Sequence, residues 1–318
     1  MRVWASRYEL IPRAPLNAKS GATPREGALI RIGDGYADIH PWPELGDAPL
    51  DAQLRLLADG VPTELGKRAI HCTRIDAEAR SAGYSLFEDV QIPRSHYSAG
   101  EPSDALDFEL LAEVGFDRVK IKAGRDAAED AEVLGRSVDS VLASQVRLRI
   151  DFNGGFGVAD VHRFLESLPR ELVTRIEFLE DPTPADAKAW ADIRALWSIP
   201  IAADREKPHP SAWDVAVCKP AWEEDGIVER AIEDGKAIVV TSAMDHPVGQ
   251  LWAASCAADF SRHHPDRVGV CGLLTHHLYE TNAFSERLAT VNTVLVPPGG
   301  TGLGFDDLLE SLDWKKLA

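Results

Sequence analysis

The chain is short of cysteine, of positive charge and of long apolar runs, and each shortage excludes a class of protein. Four cysteines, Cys72, Cys218, Cys256 and Cys271, are scattered through 318 residues without a Cys-x-x-Cys pair. That spacing argues against a disulfide framework or a cysteine zinc site and for reduced thiols in a cytoplasmic protein. No apolar stretch reaches the ~18 residues of a membrane span, and Met1 to Tyr8 lack the apolar core of a secretion signal. Lysine and arginine number 34 against 51 aspartates and glutamates, a net charge of −17. Nucleic acid and anionic membranes are therefore not expected as partners. A small anionic substrate remains compatible, because a bound cation and a few lysines can build a local positive pocket inside an acidic shell. The apolar fraction of 45% and the length suit a soluble globular protein with a substantial core.

What the chain does contain is a change of rhythm near residue 100. Residues 3–10, 27–32 and 35–39 alternate in the manner of antiparallel strands. Residues 12–24, with three prolines, read as a loop, and residues 50–59 and 70–82 as helices. A segment rich in glycine, proline and serine, 93–102, marks a boundary. Beyond it, helix patterns over 103–114, 126–143, 158–168, 184–197, 224–233 and 248–260 alternate with short apolar runs. Those runs, over 118–121, 146–150, 176–179, 200–203, 215–218, 237–241 and 268–271, predict βαβ units and a parallel sheet. Their spacing suits a closed (β/α)7β-type TIM barrel of the α/β class better than an open sheet. Only 15 residues separate Asp204 from Lys219, so a short helical turn is expected there. The expected organisation is an α+β capping domain over 1–98, the barrel with the active site over 99–290, and a C-terminal segment, 291–318, packing on the capping domain.

Successive strands of this barrel end in ionisable residues. Lys120-Ile121-Lys122 closes one strand, and Asp151, Glu180, Asp204 and Lys219 close the next four. One such residue alone reads as a helix cap or a solvated side chain. Five in register point to a site, because barrel enzymes draw catalytic groups from the C-terminal ends of several strands. Side chains alternate across a strand, so Lys120 and Lys122 share a face, as do Arg149 and Asp151. Three carboxylates on adjacent strands offer the hard oxygen ligands that Mg2+ takes, with Mn2+ as a substitute. Asn153, two residues beyond Asp151, is placed to orient a ligand. Lysines crowded by cations and by each other lose proton affinity and become general bases near neutral pH. A small-molecule carboxylate held on the metal has an acidified α-proton, and Lys122 and Lys219 on opposite faces would sandwich that carbon. His209, His246, His263, His264, His276 and His277 form no i, i+4 metal pair in a carboxylate context and read as surface or supporting residues. The tryptophans read as core.

Lys120-x-Lys122, Asp151-x-Asn153, Glu180-Asp181-Pro182, Asp204 and Lys219 together resemble the enolase superfamily and, within it, the muconate-lactonizing subgroup. The resemblance spans nearly the whole chain. It implies Mg2+ on Asp151, Glu180 and Asp204, acid/base roles for Lys122 and Lys219, and a capping domain whose loops close over the barrel mouth. The short chain, the Arg149-Ile150-Asp151 run, the segment around His40-Pro41-Trp42-Pro43 and the stretch Thr241 to Gly249 are similar to the o-succinylbenzoate synthase branch. That branch implies dehydration of 2-succinyl-6-hydroxy-2,4-cyclohexadiene-1-carboxylate to o-succinylbenzoate in menaquinone biosynthesis. Lys122 would take the α-proton, leave a metal-stabilised enediolate and then protonate the departing hydroxyl, while Lys219 would face the developing aromatic ring as a cation–π partner. Thr241, Ser242 and Gly249 would hold the succinyl tail, with Lys120, Arg149 and Asn153 touching substrate or supporting those contacts. Asp245-His246-Pro247 departs from the run usual at that place. N-Succinylamino acid racemisation, with Lys122 and Lys219 as two bases, stays open as the alternative. The stretch Val268 to Leu274 lacks the Asp-x-Asp that holds a dipeptide's ammonium in the related epimerases. Oligomeric state is not readable from the sequence.

Overall fold

The structure, a computed structural model, describes residues 2–16, 22–103, 105–205, 207–222 and 226–317. Part of the loop expected over 12–24 and the first residues of the helix expected over 224–233 lie outside the described residues.

The N-terminal sheet is an antiparallel meander of β1 (Val3–Leu10), β2 (Arg25–Ile32) and β3 (Gly35–Ile39), with Ala5 opposite Ile30 and Ala28 opposite Ile39. Its apolar face is buried against α1 (Leu50–Ala58) and α2 (Glu64–Ala82). The second helix starts six residues earlier than the apolar pattern predicts, because Thr63 caps it. Its hydroxyl accepts from Gly66 N at 3.2 Å, and Gly83, at φ 77°, ends the helix.

The alternating part runs β4 (Tyr97–Ser98), α3 (Phe108–Glu113), β5 (Arg118–Lys122), α4 (Ala127–Gly135), α5 (Val138–Ser144), β6 (Arg147–Asp151), α6 (Val158–Ser167), α7 (Arg170–Val173) and β7 (Ile176–Glu180). It continues with α8 (Ala187–Trp197), β8 (Ile201–Ala203), β9 (Val215–Cys218), α9 (Ile227–Glu233), β10 (Ala237–Val240) and α10 (Pro247–His263). The helix predicted over 103–114 is shorter, because Asp107 caps Leu110 N at 2.9 Å and sets the start there. The helix predicted over 126–143 is broken in two around Arg136 and Ser137. Between β8 and β9 the short spacing leaves room only for a single 3-10 turn, Pro210–Ala212.

Strands β4 to β10 form one parallel sheet in chain order. Residues 268–272 close it into a ring. They bridge β10 at Ile238, Thr241 at its end, and Ser95 ahead of β4, and Cys271 O accepts from His96 N at 2.8 Å. The last predicted strand is therefore present as isolated bridges rather than a regular ladder. The barrel expected from the sequence is the one observed, with the N-terminal sheet and its helices as the cap.

Strand alternation divides the side chains. Val119, Ile121, Leu148, Ile150, Leu179, Ile201, Ala216 and Ile238 belong to the layer between sheet and helices. Phe178, Ala202, Val215, Val217 and Val239 form a separate apolar cluster that fills the interior. The inward residues nearer the C-terminal strand ends are Lys122, Asp151 and Glu180, paired in register across β5, β6 and β7. These charges line the mouth above that apolar cluster, and Arg149 is a further charge buried below them.

After the barrel come the hairpin β11 (Ala289–Val291) and β12 (Val294–Val296), then α11 (Asp306–Ser311) and β13 (Lys315–Lys316). The last strand pairs antiparallel with β1, Trp4 opposite Lys316, and so joins the N-terminal sheet. Asp76 of α2 ties these parts together. Its carboxylate accepts from Tyr36 N at 2.8 Å, Leu303 N at 2.7 Å and Arg80 Nε at 2.7 Å. Among the described residues no helix is long and apolar enough to cross a membrane.

Candidate active site

A cavity of about 240 Å³ opens at the C-terminal mouth of the barrel, bordered by Lys120, Lys122, Asp151, Asn153, Asp204, Lys219, Thr241 and Ser242. Eight of the residues singled out from the sequence thus meet in one place. They are far apart in sequence but occupy the ends of β5, β6, β8, β9 and β10. The cap adds Arg13, Leu16 and Leu45 to the wall.

Lys120 is the electrostatic centre. Its ammonium lies 2.9 Å from Asp151 Oδ2 and 2.7 Å from Glu180 Oε1. Burial works against its charge, but Asp151, Glu180 and Asp204 together outweigh burial and raise its pKa. Lys122 faces the opposite balance. Burial, helped by Lys120 and Lys219, outweighs the pull of Asp151 and lowers its pKa to about 8. Its ammonium donates to Leu16 O at 2.5 Å, so a cap residue touches this lysine directly. Lys219 is paired with Asp204 and stands 5.5 Å from the centre of the Trp222 ring. In the ring of strands β5 and β9 are four positions apart, which sets Lys122 and Lys219 on opposite walls.

The carboxylates repel one another. Burial and the neighbouring Asp151 raise Glu180 to about 6, and burial with Asp204 raises Asp181 to about 8. Asp204 is lowered to about 2, since Lys219 and Lys120 outweigh its burial. Asp181, at φ 41°, turns its carboxylate back to accept from Asp204 N at 3.0 Å. Asn153, at φ 49°, donates its backbone N–H to Asp151 Oδ1 at 3.0 Å, and its side-chain Nδ2 is buried without a partner.

Among the described residues no three Asp, Glu, His or Cys side chains stand close enough to ligate one ion as they lie. Lys120 spans Asp151 and Glu180, and Lys219 engages Asp204. The donor chemistry nonetheless fits a hard divalent cation. Asp151, Glu180 and Asp204 are oxygen donors from three consecutive strands, and the mutual repulsion that raises Glu180 is what a dication would relieve.

Arg149 and Gly249 do not border the cavity, which leaves Arg149 the supporting place that the sequence allowed it. Arg149 is buried beneath the cavity, donating to Glu177 Oε2 at 2.9 Å and to Val270 O at 2.8 Å, with its guanidinium 4.9 Å from the Phe178 ring centre. Gly249 packs on α10 against carboxylates outside the cavity. A Cβ there would stand 2.5 Å from Asp245 Oδ2 and 2.8 Å from Asp38 Oδ2. Of the histidines, His246 is not on the surface but deeply buried. It caps α10 by accepting from Val248 N at 3.2 Å and packs on Tyr8 and Phe284. His277 borders the cavity, stacked on Tyr97 at 5.3 Å. Sequence reasoning missed His96, Ser98 and Thr275, which also border it. The only local signal was position, since His96 precedes and Ser98 ends the first barrel strand, a two-residue element with no apolar run to mark it.

Residues 3–79 match the family model for the o-succinylbenzoate synthase N-terminal domain, and residues 106–217 match that for enolase C-terminal domain-like proteins. The o-succinylbenzoate synthase of Bdellovibrio bacteriovorus is 35% identical, with 100% of this chain and 99% of that protein aligned. The o-succinylbenzoate synthase of Thermobifida fusca is 28% identical over 86% of this chain and 82% of that protein. Among solved structures, the dipeptide epimerase of Cytophaga hutchinsonii, complexed with Mg and the dipeptide D-Ala-L-Val, superposes with a TM-score of 0.75. It covers 100% of this chain and 99% of its own at 18% identity, a likeness of fold. On the full-length match and the two family models, the chain belongs to the o-succinylbenzoate synthase family, lyases of the enolase superfamily.

Proposed function

We propose that this chain dehydrates 2-succinyl-6-hydroxy-2,4-cyclohexadiene-1-carboxylate to o-succinylbenzoate and water, a step of menaquinone biosynthesis in the cytoplasm. The observation that carries the reading is the pair of lysines on opposite walls of one cavity, Lys122 with its pKa lowered to about 8 and Lys219 held beside Trp222. Lys122 is the general base. Its neutral amine takes the proton from the ring carbon that bears the carboxylate, and the electron pair moves into that carboxylate. The resulting Lys122 ammonium then gives its proton to the departing hydroxyl on the same face, so water leaves and the ring becomes aromatic. Lys219, paired with Asp204, faces the opposite side of the developing ring as a cation–π partner.

Asp151, Glu180 and Asp204 are the residues that would hold Mg2+, which when bound supplies the positive charge that acidifies the α-proton of a carboxylate. Lys120 keeps Asp151 and Glu180 ionised and fixed, a role that suits its raised pKa. Leu16 and Leu45 of the cap shield the mouth from water.

The test is loss of the cyclohexadiene absorbance on mixing freshly generated substrate with the enzyme and Mg2+. Fast conversion that Lys122→Ala removes is the expected result; a folded, Mg2+-loaded enzyme that leaves the absorbance unchanged sinks the reading. A second reading, racemisation of N-succinylamino acids, is supported by the same opposition of Lys122 and Lys219, since two bases on opposite faces are what inversion needs. It predicts deuterium exchange at the α-carbon from either enantiomer.

A further inference from the structure

His96 lies just ahead of β4 with its ring buried at the edge of the cavity. Its Nδ1 is 2.8 Å from Arg149 Nη1. A guanidinium has only donors to offer, so Nδ1 must accept and the ring proton must sit on Nε2. Arg149 is not free to turn away, because Glu177 and Val270 O hold it from two other sides and Phe178 packs against it. The tautomer of His96 is thereby set from beneath.

The other edge of the ring borders the cavity. A Cβ on Gly272 would lie 2.7 Å from His96 Cε1, 2.9 Å from His96 Nε2 and 2.7 Å from Thr241 Cγ2. Glycine at 272 is what lets the imidazole edge and the Thr241 side chain converge there. Thr241 is 6% exposed and its hydroxyl oxygen is buried with no partner in the structure. His96 Nε2 has no protein partner among the described residues and, unlike the Thr241 hydroxyl, is not sealed away from the cavity. The buried Thr241 hydroxyl, left without a partner beside this corner, carries a desolvation cost that a ligand oxygen would relieve.

We propose that His96, its tautomer set by Arg149, presents Nε2–H as a neutral hydrogen-bond donor and, with the Thr241 hydroxyl, holds an acceptor oxygen of the substrate's side arm. This rests on the proposed function. The ring carboxylate belongs with Asp151, Glu180, Asp204 and the lysines on β5 to β9, whereas His96, Thr241 and Gly272 lie at the seam where the barrel closes. Neutral donors suit that corner. They orient the arm without adding a further cation to compete with the lysines for the ring carboxylate. Burial and the nearby Arg149, Lys120, His277 and Lys219 all oppose protonation of the ring, so the donor stays neutral. Arg149 is in this account a positioning residue that never touches substrate.

The first readout needs no substrate. Long-range 1H–15N correlation of histidine-labelled protein should show the His96 ring protonated on Nε2 and not on Nδ1, and Arg149→Met should abolish that preference. The second is binding of o-succinylbenzoate compared with benzoate, which lacks the arm. His96→Ala should weaken o-succinylbenzoate about tenfold or more and leave benzoate unchanged, and should raise KM with kcat nearly constant, the signature of a contact equal in ground and transition states. His96→Gln, which returns an N–H near the Nε2 position, should recover most of the loss. An Nδ1–H ring, or equal weakening of both ligands, overturns the proposal. Wild-type protein that does not bind o-succinylbenzoate overturns the proposed function instead, and the same titration with an N-succinylamino acid, whose arm is alike, then decides the role of His96.

Discussion

Lys120 and Lys122 stand two residues apart on one face of β5, yet their surroundings drive them to opposite behaviour. Lys120 is clasped between Asp151 and Glu180 and its pKa rises; Lys122 reaches past that clasp toward Leu16 O, and burial with two lysine neighbours brings it down to about 8. One strand thus holds one lysine whose charge is reinforced and one whose proton is loosened. The difference comes from where the adjacent strands end, not from the lysines themselves.

The pH profile should report Lys122. A base must be neutral to act, and below its pKa Lys122 is charged. The rate constant kcat/KM is therefore expected to fall tenfold per pH unit well below about 8 and to level off above it, with bound Mg2+ moving the inflection lower. Lys122→Ala should cost roughly 10²–10⁴ in kcat, read from the absorbance assay. An inflection unchanged in a variant lacking Lys122 would show that another group is titrating.

Metal dependence follows from the three carboxylates. Excess EDTA should abolish activity, and added Mg2+ should restore it. A cation that binds only the folded chain also stabilises it, by about 2.7 kcal/mol at a hundredfold excess over Kd, so Mg2+ should raise Tm in thermal melts. Asp204→Asn should shrink that rise. A rise of equal size in the variant would place the ion somewhere else.

Asp38 and Asp245 predict an unusual pH dependence of stability. They press together at the seam between cap and barrel, both approaching the place where a Gly249 Cβ would sit. Asp38 accepts from Tyr8 at 2.6 Å and from His246 N at 3.0 Å. Burial raises Asp245 to about 7, and burial with the Asp245 charge raises Asp38 well above its ordinary value. An acid with a raised folded pKa holds its proton in the native state while the unfolded chain has already lost it. Stability should therefore fall as pH rises from about 4 to 7 and stay low above that. Asp245→Asn removes Asp245's share of the penalty and eases that of Asp38, which burial still raises. It should leave stability near pH 4 unchanged and increase it at pH 8, on the order of a few kcal/mol, measured by urea unfolding at the two pH values.

Asp76 should be a stability residue and nothing else. It is fully buried, pairs with Arg80 and accepts from the backbone at Tyr36 and Leu303. Removing one partner of such a pair strands the other, so Asp76→Ala should cost roughly 3–5 kcal/mol in urea unfolding. The KM of the protein that remains folded should be unaffected.

The barrel and most of the cavity wall were legible because both are written in local terms. Alternation along β5, β6 and β7 sets which side chains face inward, and strand ends are marked by where an apolar run stops, so Lys120, Lys122, Asp151, Glu180, Asp204 and Lys219 could be aligned without knowing any contact. The two-residue strand at Tyr97–Ser98 has no such run, and with it His96 went unnoticed. The 126–143 helix looked continuous because its apolar pattern survives the break at Arg136 and Ser137.

Arg149 and Gly249 show the limit from the other side. The sequence put Gly249 at the substrate, and Arg149 either there or behind the groups that touch it. The sequence cannot say that Glu177, Val270 and His96 surround the one, or that two carboxylates press on the other. The sequence by itself determined the alternation, the cap, and the order of charges around the barrel mouth, since each depends on residues within a few positions of one another. Only the tertiary structure decided which lysine has its proton affinity lowered, which histidines border the cavity and which acids share a buried seam. Protonation and tautomer are set by through-space neighbours and by burial, and those neighbours come from other elements of the chain, from Asp151 and Glu180 beside Lys120 to Asp38 beside Asp245 across the seam.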